Sequence, residues 1–355
     1  MEFIKFEKLY NFNLSEKKRI FDDRIMKLIN FHKKKSKIFS KIMFYSNTKS
    51  FKKLDDIPPI PVTAFKKHEL LSVKKHKIIK TLRSSGTSGN STSKIFLDSN
   101  NSKNQTWVLS KIMESIFGSK RLPMLVIEKE PNFSHINRNE FNARIAAVNG
   151  FSIFSNKRFF IFDKNNKINE SNLLKFLKKY CRQKFIIFGF TDQIFNCFIK
   201  KKLDRKYSNY LKNGILVHGG GWKKLEGLKI DNKIFRKKIY SNYKIKNIYN
   251  YYGLIEQTGS IFIECPECLS LKCSIFSDVI IRDKNLKIVK RDNEVGLLQI
   301  MSTVPTSYPG NIILTEDLAE FKNKKKCSRC KDFKGKRFII HGRMKNSDIR
   351  GCANT

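Results

Sequence analysis

The run Arg83-Ser84-Ser85-Gly86-Thr87-Ser88-Gly89-Asn90-Ser91-Thr92-Ser93-Lys94 gathers glycines, hydroxyl side chains and a closing lysine into one short segment. Glycine lets backbone N–H groups approach an anion with no Cβ in the way, Ser and Thr add donors, and Lys adds a point charge. Those are the requirements of a phosphate cradle. No Gly-Lys-Ser/Thr closes the run, so it is not a P-loop of the Walker type. A flexible linker has a similar composition, and the run alone leaves both readings open.

Two further glycine clusters follow strand-like runs. His218-Gly219-Gly220-Gly221-Trp222-Lys223 comes after Ile215-Leu216-Val217, and Tyr251-Tyr252-Gly253-Leu254-Ile255-Glu256-Gln257-Thr258-Gly259 after a run ending near Asn250. Each is compatible with a plain turn. Thr315-Glu316-Asp317 and Gly342-Arg343 stand farther on. Of the eight cysteines, Cys181 and Cys197 are scattered, while Cys265-Pro-Glu-Cys268, Cys273 and Cys327-Ser-Arg-Cys330 form two C-terminal groups. Four thiolates suit a closed tetrahedral zinc site, five thiols are on offer, and reduced, unliganded cysteines are the plain alternative. Cys352 stands outside any pair in Arg350-Gly351-Cys352, beside a cation that favours a thiolate.

The elements that position these residues follow from pattern. With 355 residues and 40% hydrophobic content, the chain can bury a large core. All 17 glycines lie at or after Gly86, which sets the first 85 residues apart as mostly helical. Phe21, Ile25, Leu28 and Ile29 give that segment one amphipathic face between Lys17 and Phe31. Ile57-Pro58-Pro59-Ile60-Pro61-Val62 then breaks any helix and reads as a rigid connector into Thr63-Ala64-Phe65-Lys66-Lys67. Beyond the loop, buried strands are predicted at Leu122 to Ile127, Lys184 to Gly189, Gly214 to His218 and Lys246 to Asn250. Helices are predicted at Glu170 to Tyr180 and Asp192 to Lys201. That alternation implies an α/β sheet with ligands at strand C-terminal ends. After about Gly259 the chain turns β-rich, with strands expected around Val279 to Ile281, Gly296 to Met301 and Arg337 to His341.

The formal charge of +41 invites a nucleic-acid reading. The lysines are spread among Asn, Ile and Phe in a way that resembles a coding bias toward AT-rich codons. No aromatic-interleaved basic motif is present, so no specific nucleic-acid partner is expected. No run of 18 or more apolar residues occurs, and Met1 to Lys8 lacks the apolar core of a signal peptide, so the expectation is a cytoplasmic protein without a membrane span.

In their order, these pieces resemble the acyl-protein synthetases, the fatty-acid-activating component of the bacterial bioluminescence fatty-acid reductase. That family is itself similar to phenylacetate-CoA ligases among the adenylate-forming enzymes. The likeness runs from Ile57 to Pro61 and Phe65-Lys66 through the Ser84 loop, His218 to Lys223 and Tyr252 to Gly259. It continues in Ser307-Tyr308-Pro309-Gly310, Thr315 to Asp317, Gly342-Arg343 and Arg350-Gly351-Cys352. It implies an α/β fold, the large N-terminal-type domain of adenylate-forming enzymes. A helical segment and connector (1–62) would precede a nucleotide-binding core (63–259) and a β-rich lobe (260–355), without the mobile C-terminal domain of the CoA ligases.

The resemblance also implies roles. Ser84, Ser85, Gly86, Thr87, Ser88 and Gly89, with Lys94 less directly, would hold the β- and γ-phosphates of ATP. Gly220 and Gly221 would border the adenine, Tyr252 in the Tyr252-Gly253 pair would stack on it, and Glu256 would hold Mg²⁺. Asp317 would accept from the ribose hydroxyls with Arg343 nearby. Relatives in the wider ligase group carry a Cys-x7-His arrangement that places Cys273 where the His stands, favouring zinc on Cys265, Cys273, Cys327 and Cys330 with Cys268 as substitute. Cys352 matches the acyl-accepting cysteine. The expected activity is ATP-dependent activation of a carboxylic acid, of the fatty class, and its transfer to a protein thiol. A partner such as a fatty acyl reductase or a carrier protein would take the acyl group. The alternatives are acid activation for a carrier or sugar in surface-polysaccharide assembly, and a basic nucleic-acid-binding protein with a zinc ribbon.

Overall fold

A computed structural model describes residues 9–45, 51, 53–84, 92–130, 140–200, 203–221 and 231–344. Ser85, Gly86, Thr87, Ser88, Gly89 and Cys352 lie outside the described residues.

The central element is a parallel sheet in the order Ser155–Phe162, Leu122–Lys129, Phe185–Phe190, Gly214–Gly219 and Asn247–Tyr252. Its central strands are apolar on both faces because helices cover both. Leu125, Ile127, Phe185, Ile187 and Leu216 pack against the helices Glu170–Tyr180 and Asn232–Tyr243. The alternate residues Met124, Val126, Ile186, Phe188 and Val217 meet Ser99–Phe117 and Ala143–Ser152.

From Asn247–Tyr252 the sheet continues antiparallel through Phe262–Glu264, Leu271–Lys272, Arg337–Arg343, Ile312–Phe321, Gly296–Ser302, Ser277–Arg282 and Ile288–Val289. The α/β core and the β-rich lobe therefore share one hydrogen-bonded sheet. The N-terminal helix Leu14–Lys35 lays its predicted face, Phe21, Ile25 and Ile29, into the lobe's core, and buried Lys17 donates Nζ to Ser277 O at 3.0 Å. The proline-rich connector also joins the sheet. Ile60–Pro61 pairs in parallel with Ile313 and Leu314, and the Val62 N–H donates to Leu314 O at 2.9 Å. Proline has no N–H to give, which confines it to such an edge.

Two histidines are buried within this frame, His32 beside the Ser72 hydroxyl at 2.7 Å and His218 beside Thr191 at 3.0 Å. Burial pushes both down to about 3, with Arg236 adding repulsion at His218. Each stays neutral in the folded chain but takes a proton below about pH 6.5 once unfolded. Each therefore contributes stability that is present above pH 6.5 and is lost as pH falls toward 3, at roughly 1.4 kcal/mol per pH unit. Burial raises Glu256, Glu264 and Asp317, which titrate in the opposing sense. The contrast with a variant isolates the histidine: between pH 6 and 4, His32→Gln should lose about one proton's worth of slope in unfolding free energy. Equal slopes in denaturant titrations would refute this.

Candidate active site

The strands Ile78–Arg83 and Lys94–Asp98 on either side of the serine- and glycine-rich run form an antiparallel pair. Its base is closed by the Ser84 N–H donating to Ser93 O at 3.1 Å and the Ser93 N–H donating to Ser84 Oγ at 2.9 Å. Lys94 Nζ lies 3.8 Å from Glu69, whose other oxygen is 3.4 Å from Lys75. Lys94 is thus drawn toward an acidic partner at the foot of the pair.

Glu256 sits in the single turn Ile255–Gln257, which follows directly from the parallel strand Asn247–Tyr252. The turn is held from two sides. Gln257 Nε2 donates to Gly310 O at 2.9 Å, and the Thr258 hydroxyl donates to Gln105 Oε1. Ser307-Tyr308-Pro309-Gly310 is in turn anchored by Asn101 Oδ1, which accepts from the amides of Thr306 (2.6 Å) and Ser307 (3.2 Å). Glu256 is only 5% exposed. Burial raises its carboxyl, against the pull of the Ser93 hydroxyl and of the Lys66 and Arg343 charges. A carboxylate kept in so little water calls for a cation.

Tyr252 ends the same strand, and its hydroxyl donates to Asp317 Oδ2 at 2.6 Å. Asp317 lies on Ile312–Phe321 opposite Arg343, with Arg343 Nε 3.6 Å from Oδ1. Burial raises Asp317, while the Tyr252 hydroxyl and Arg343 pull it back. The turn after Gly214–Gly219 brings Gly220 and Gly221 to positive φ, 90° and 74°. A Cβ on Gly220 would press on the Phe190 ring at 2.9 Å, whereas one on Gly221 would meet nothing within 4 Å. That bare turn lies at the carboxyl ends of the parallel strands, where α/β sheets hold ligands.

Residues 6–355 match the family model described as acyl-protein synthetase, LuxE. The chain belongs to the acyl-protein synthetase family. No protein of curated function matches the sequence. Among solved structures, an open form of 2-hydroxyisobutyryl-CoA ligase in complex with 2-HIB-AMP and CoA superposes with TM-score 0.71 at 12% identity, over 95% of this chain and 77% of that one. The amide bond synthetase McbA from Marinactinospora thermotolerans superposes with TM-score 0.50 at 13% identity, over 76% of this chain and 49% of its own. An ATP-bound RpMatB-BxBclM chimera gives TM-score 0.50 at 11% identity, over 77% and 49%. The chain thus shares the mixed α/β fold of these ligases.

Supports of the candidate site carry little local signal in the sequence. Gln105 and Asn101 reach it from the helix Ser99–Phe117 across long separations. Lys66 follows the edge strand Ile60–Pro61 in the short helix Ala64–Lys67, and its half-buried cation favours the charged form of Glu256. The Phe65-Lys66 pair after the prolines was its one visible trace.

The cysteine set needs one correction. Cys265, Cys268, Cys327 and Cys330 bring their sulfurs within 4.8 Å of one another, with Cys265 to Cys327 at 3.7 Å and Cys268 to Cys330 at 3.8 Å. Cys273 is not among them. It follows the strand Leu271–Lys272, shares the inward face with Leu271, and lies in the lobe's hydrophobic core, where burial pushes its thiol up to about 12. Cys268 takes the place expected for Cys273. A zinc ion with sulfurs at about 2.3 Å in a tetrahedron needs sulfur separations of about 3.8 Å, so the donor set fits that metal. Glu267 ties the two turns together, accepting from the Ser328 amide at 2.9 Å and its hydroxyl at 2.5 Å. Among the described residues, no helix is long and apolar enough to cross a membrane.

Proposed function

We propose that this synthetase activates a carboxylic acid of the fatty class with Mg·ATP and passes the acyl group to a protein cysteine. The observation that carries the reading is the convergence of buried Glu256, the Tyr252–Asp317 pair and the Ser84–Ser93 hydrogen bonds around the carboxyl ends of the parallel strands, in a member of this family. A substrate carboxylate oxygen would attack the α-phosphorus of ATP, forming the acyl–phosphate bond as the α–β bond breaks and pyrophosphate leaves. A cysteine thiolate would then attack the acyl carbon, forming a thioester and releasing AMP. Ser84, Ser85, Gly86, Thr87, Ser88 and Gly89 would hold the leaving phosphates, and Gly220 and Gly221 would border the adenine. Glu256 is the group suited to holding Mg²⁺, which when bound neutralises phosphate charge. Asp317, near Arg343, is the acceptor for the ribose. Cys265, Cys268, Cys327 and Cys330 would carry a structural zinc. The reduced thiols and the ATP requirement fit a cytoplasmic protein.

Cys352, by its Arg350-Gly351-Cys352 setting, is the proposed acceptor within the chain, with onward delivery to a partner protein. Exchange of labelled pyrophosphate into ATP, screened over fatty, aryl and hydroxy acids, tests the first half-reaction; no exchange with any acid would end the adenylation reading. Cys352→Ala should preserve exchange and remove acid-stable, hydroxylamine-sensitive acyl labelling. Undiminished labelling would move the acceptor to another residue.

A further inference from the structure

The hydrogen bond from Tyr252 to Asp317 spans strands that are not neighbours. Asn247–Tyr252 and Ile312–Phe321 stand four places apart in the sheet, separated by Phe262–Glu264, Leu271–Lys272 and Arg337–Arg343. In a flat sheet, with about 4.8 Å between strands, they would be roughly 19 Å apart. The sheet curls enough to bring the phenol within 2.6 Å of Asp317 Oδ2. This contact therefore joins the α/β core to the β-rich lobe at the nucleotide site.

Its effect on Asp317 is specific. The backbone of Asp317 is fixed, its N–H donating to Thr315 Oγ1 at 3.1 Å while the Thr315 hydroxyl donates to Leu298 O at 2.7 Å. The torsion that turns the carboxylate plane is intrinsically broad. Tyr252 occupies one acceptor position on Oδ2, and Arg343 Nε faces Oδ1 from 3.6 Å. A carboxylate has about four acceptor positions, so each oxygen keeps capacity for one further donor. Two oxygens held in one plane, each with a lone pair to spare, match a vicinal diol.

We propose that Tyr252 is a positioning residue for sugar recognition: its hydroxyl holds the Asp317 carboxylate in the rotation that accepts both ribose hydroxyls, while its ring serves the base. The inference rests on the reading of Asp317 as the ribose acceptor and adds that Tyr252 sets its selectivity. Hydrogen bonds from hydroxyls to a charged acceptor are each worth roughly a ten- to hundred-fold difference in affinity. The chain should therefore discriminate against 2′-deoxy-ATP and 3′-deoxy-ATP, and should lose much of that discrimination without the phenol oxygen.

The test is calorimetric titration of the full chain with the magnesium complexes of ATP, 2′-deoxy-ATP, 3′-deoxy-ATP and GTP. Tyr252→Phe is expected to lower both ribose-to-deoxyribose preferences at least about five-fold and to leave the preference for ATP over GTP unchanged. A role confined to stacking or folding would weaken ATP and its deoxy forms equally, and that result, or unchanged ratios, overturns the proposal. Should Tyr252→Phe fail to fold, Tyr252→Leu carries the same comparison of ratios. Asp317→Ala separates the two levels: if it keeps wild-type discrimination, Asp317 is not the ribose acceptor and the proposal falls with that assignment. Failure of the wild-type chain to bind Mg·ATP at all would instead strike the adenylation reading itself.

Discussion

Glu256→Gln should lower acid-dependent pyrophosphate exchange by on the order of 10²- to 10³-fold while leaving the melting temperature unchanged or higher. The two halves of that expectation share one cause. Glu256 is held almost out of water, on a turn fixed by Gln257 to Gly310 O and by Thr258 to Gln105, so it cannot swing out to recover hydration. Burial consequently raises its carboxyl and disfavours the charged form, an effect that the Ser93 hydroxyl, Lys66 and Arg343 oppose. Glutamine keeps the shape and removes the charge, which relieves the free protein and would deprive the proposed Mg²⁺ of its anionic ligand. Raised Mg²⁺ should recover part of the loss, because a neutral amide oxygen is a poorer ligand but still a ligand. Exchange within about three-fold of wild type would show that Glu256 is not the metal-holding group.

The fold was legible wherever burial is two-sided and local. Leu122 to Ile127 and Gly214 to His218 announce buried parallel strands by being almost wholly apolar, and the structure places each inside the parallel part of the sheet with a strand on either side. The helix Ser99–Phe117 gave no such sign, since its first two turns, Ser-Asn-Asn-Ser-Lys-Asn-Gln-Thr, are weak helix formers apart from the Lys and Gln. Asp98 caps it through the Asn101 amide at 2.8 Å, and tertiary burial of Val108, Ile112 and Met113 secures it. The helix expected from Asp192 to Lys201 is instead Thr191–Ile194 widening into a π turn at Phe195–Ile199.

The same division holds at the site. The glycine turns, Glu256 and Asp317 stand in recognisable motifs. Asn101 and Gln105, which hold the site's turns, do so across the fold, where neither period nor spacing gives warning, and Lys66 is marked only by the Phe65-Lys66 pair. Tyr252 stood out as a ring, yet its hydroxyl finds its partner only because the sheet curls. Cys268 stands in one of two Cys-x2-Cys pairs and Cys273 is the extra thiol, and the resemblance put Cys273 ahead. Only the inward face set by Leu271 and the pairing of Leu271 with Phe338 decide that Cys273 belongs to the core.

Purified protein should contain one zinc per chain, and Cys330→Ser should remove it and lower the melting temperature by about 5 °C or more, since structural zinc supplies several kcal/mol of folding energy. Cys273→Ala should retain the metal, which separates the four-sulfur cluster from the set that includes Cys273. The size of the effect follows from where the cysteines lie. Cys265 and Cys268 occupy the turn between Phe262–Glu264 and Leu271–Lys272, while Cys327 and Cys330 lie between Ile312–Phe321 and Arg337–Arg343. With no cation the four thiols cannot all ionise at such close quarters; Cys268 is held low by the Cys265 thiol, which is itself driven up. A divalent cation lets all four become ligands and locks the two turns together. The strand Arg337–Arg343 pairs directly with the strand that carries Asp317, and Arg343 lies opposite Asp317 in that register. Loss of the metal should therefore weaken Mg·ATP binding from a distance, with no part for zinc in the chemistry. Chelation that leaves melting temperature and nucleotide affinity unchanged, or metal analysis without stoichiometric zinc, would return these four residues to the status of reduced thiols.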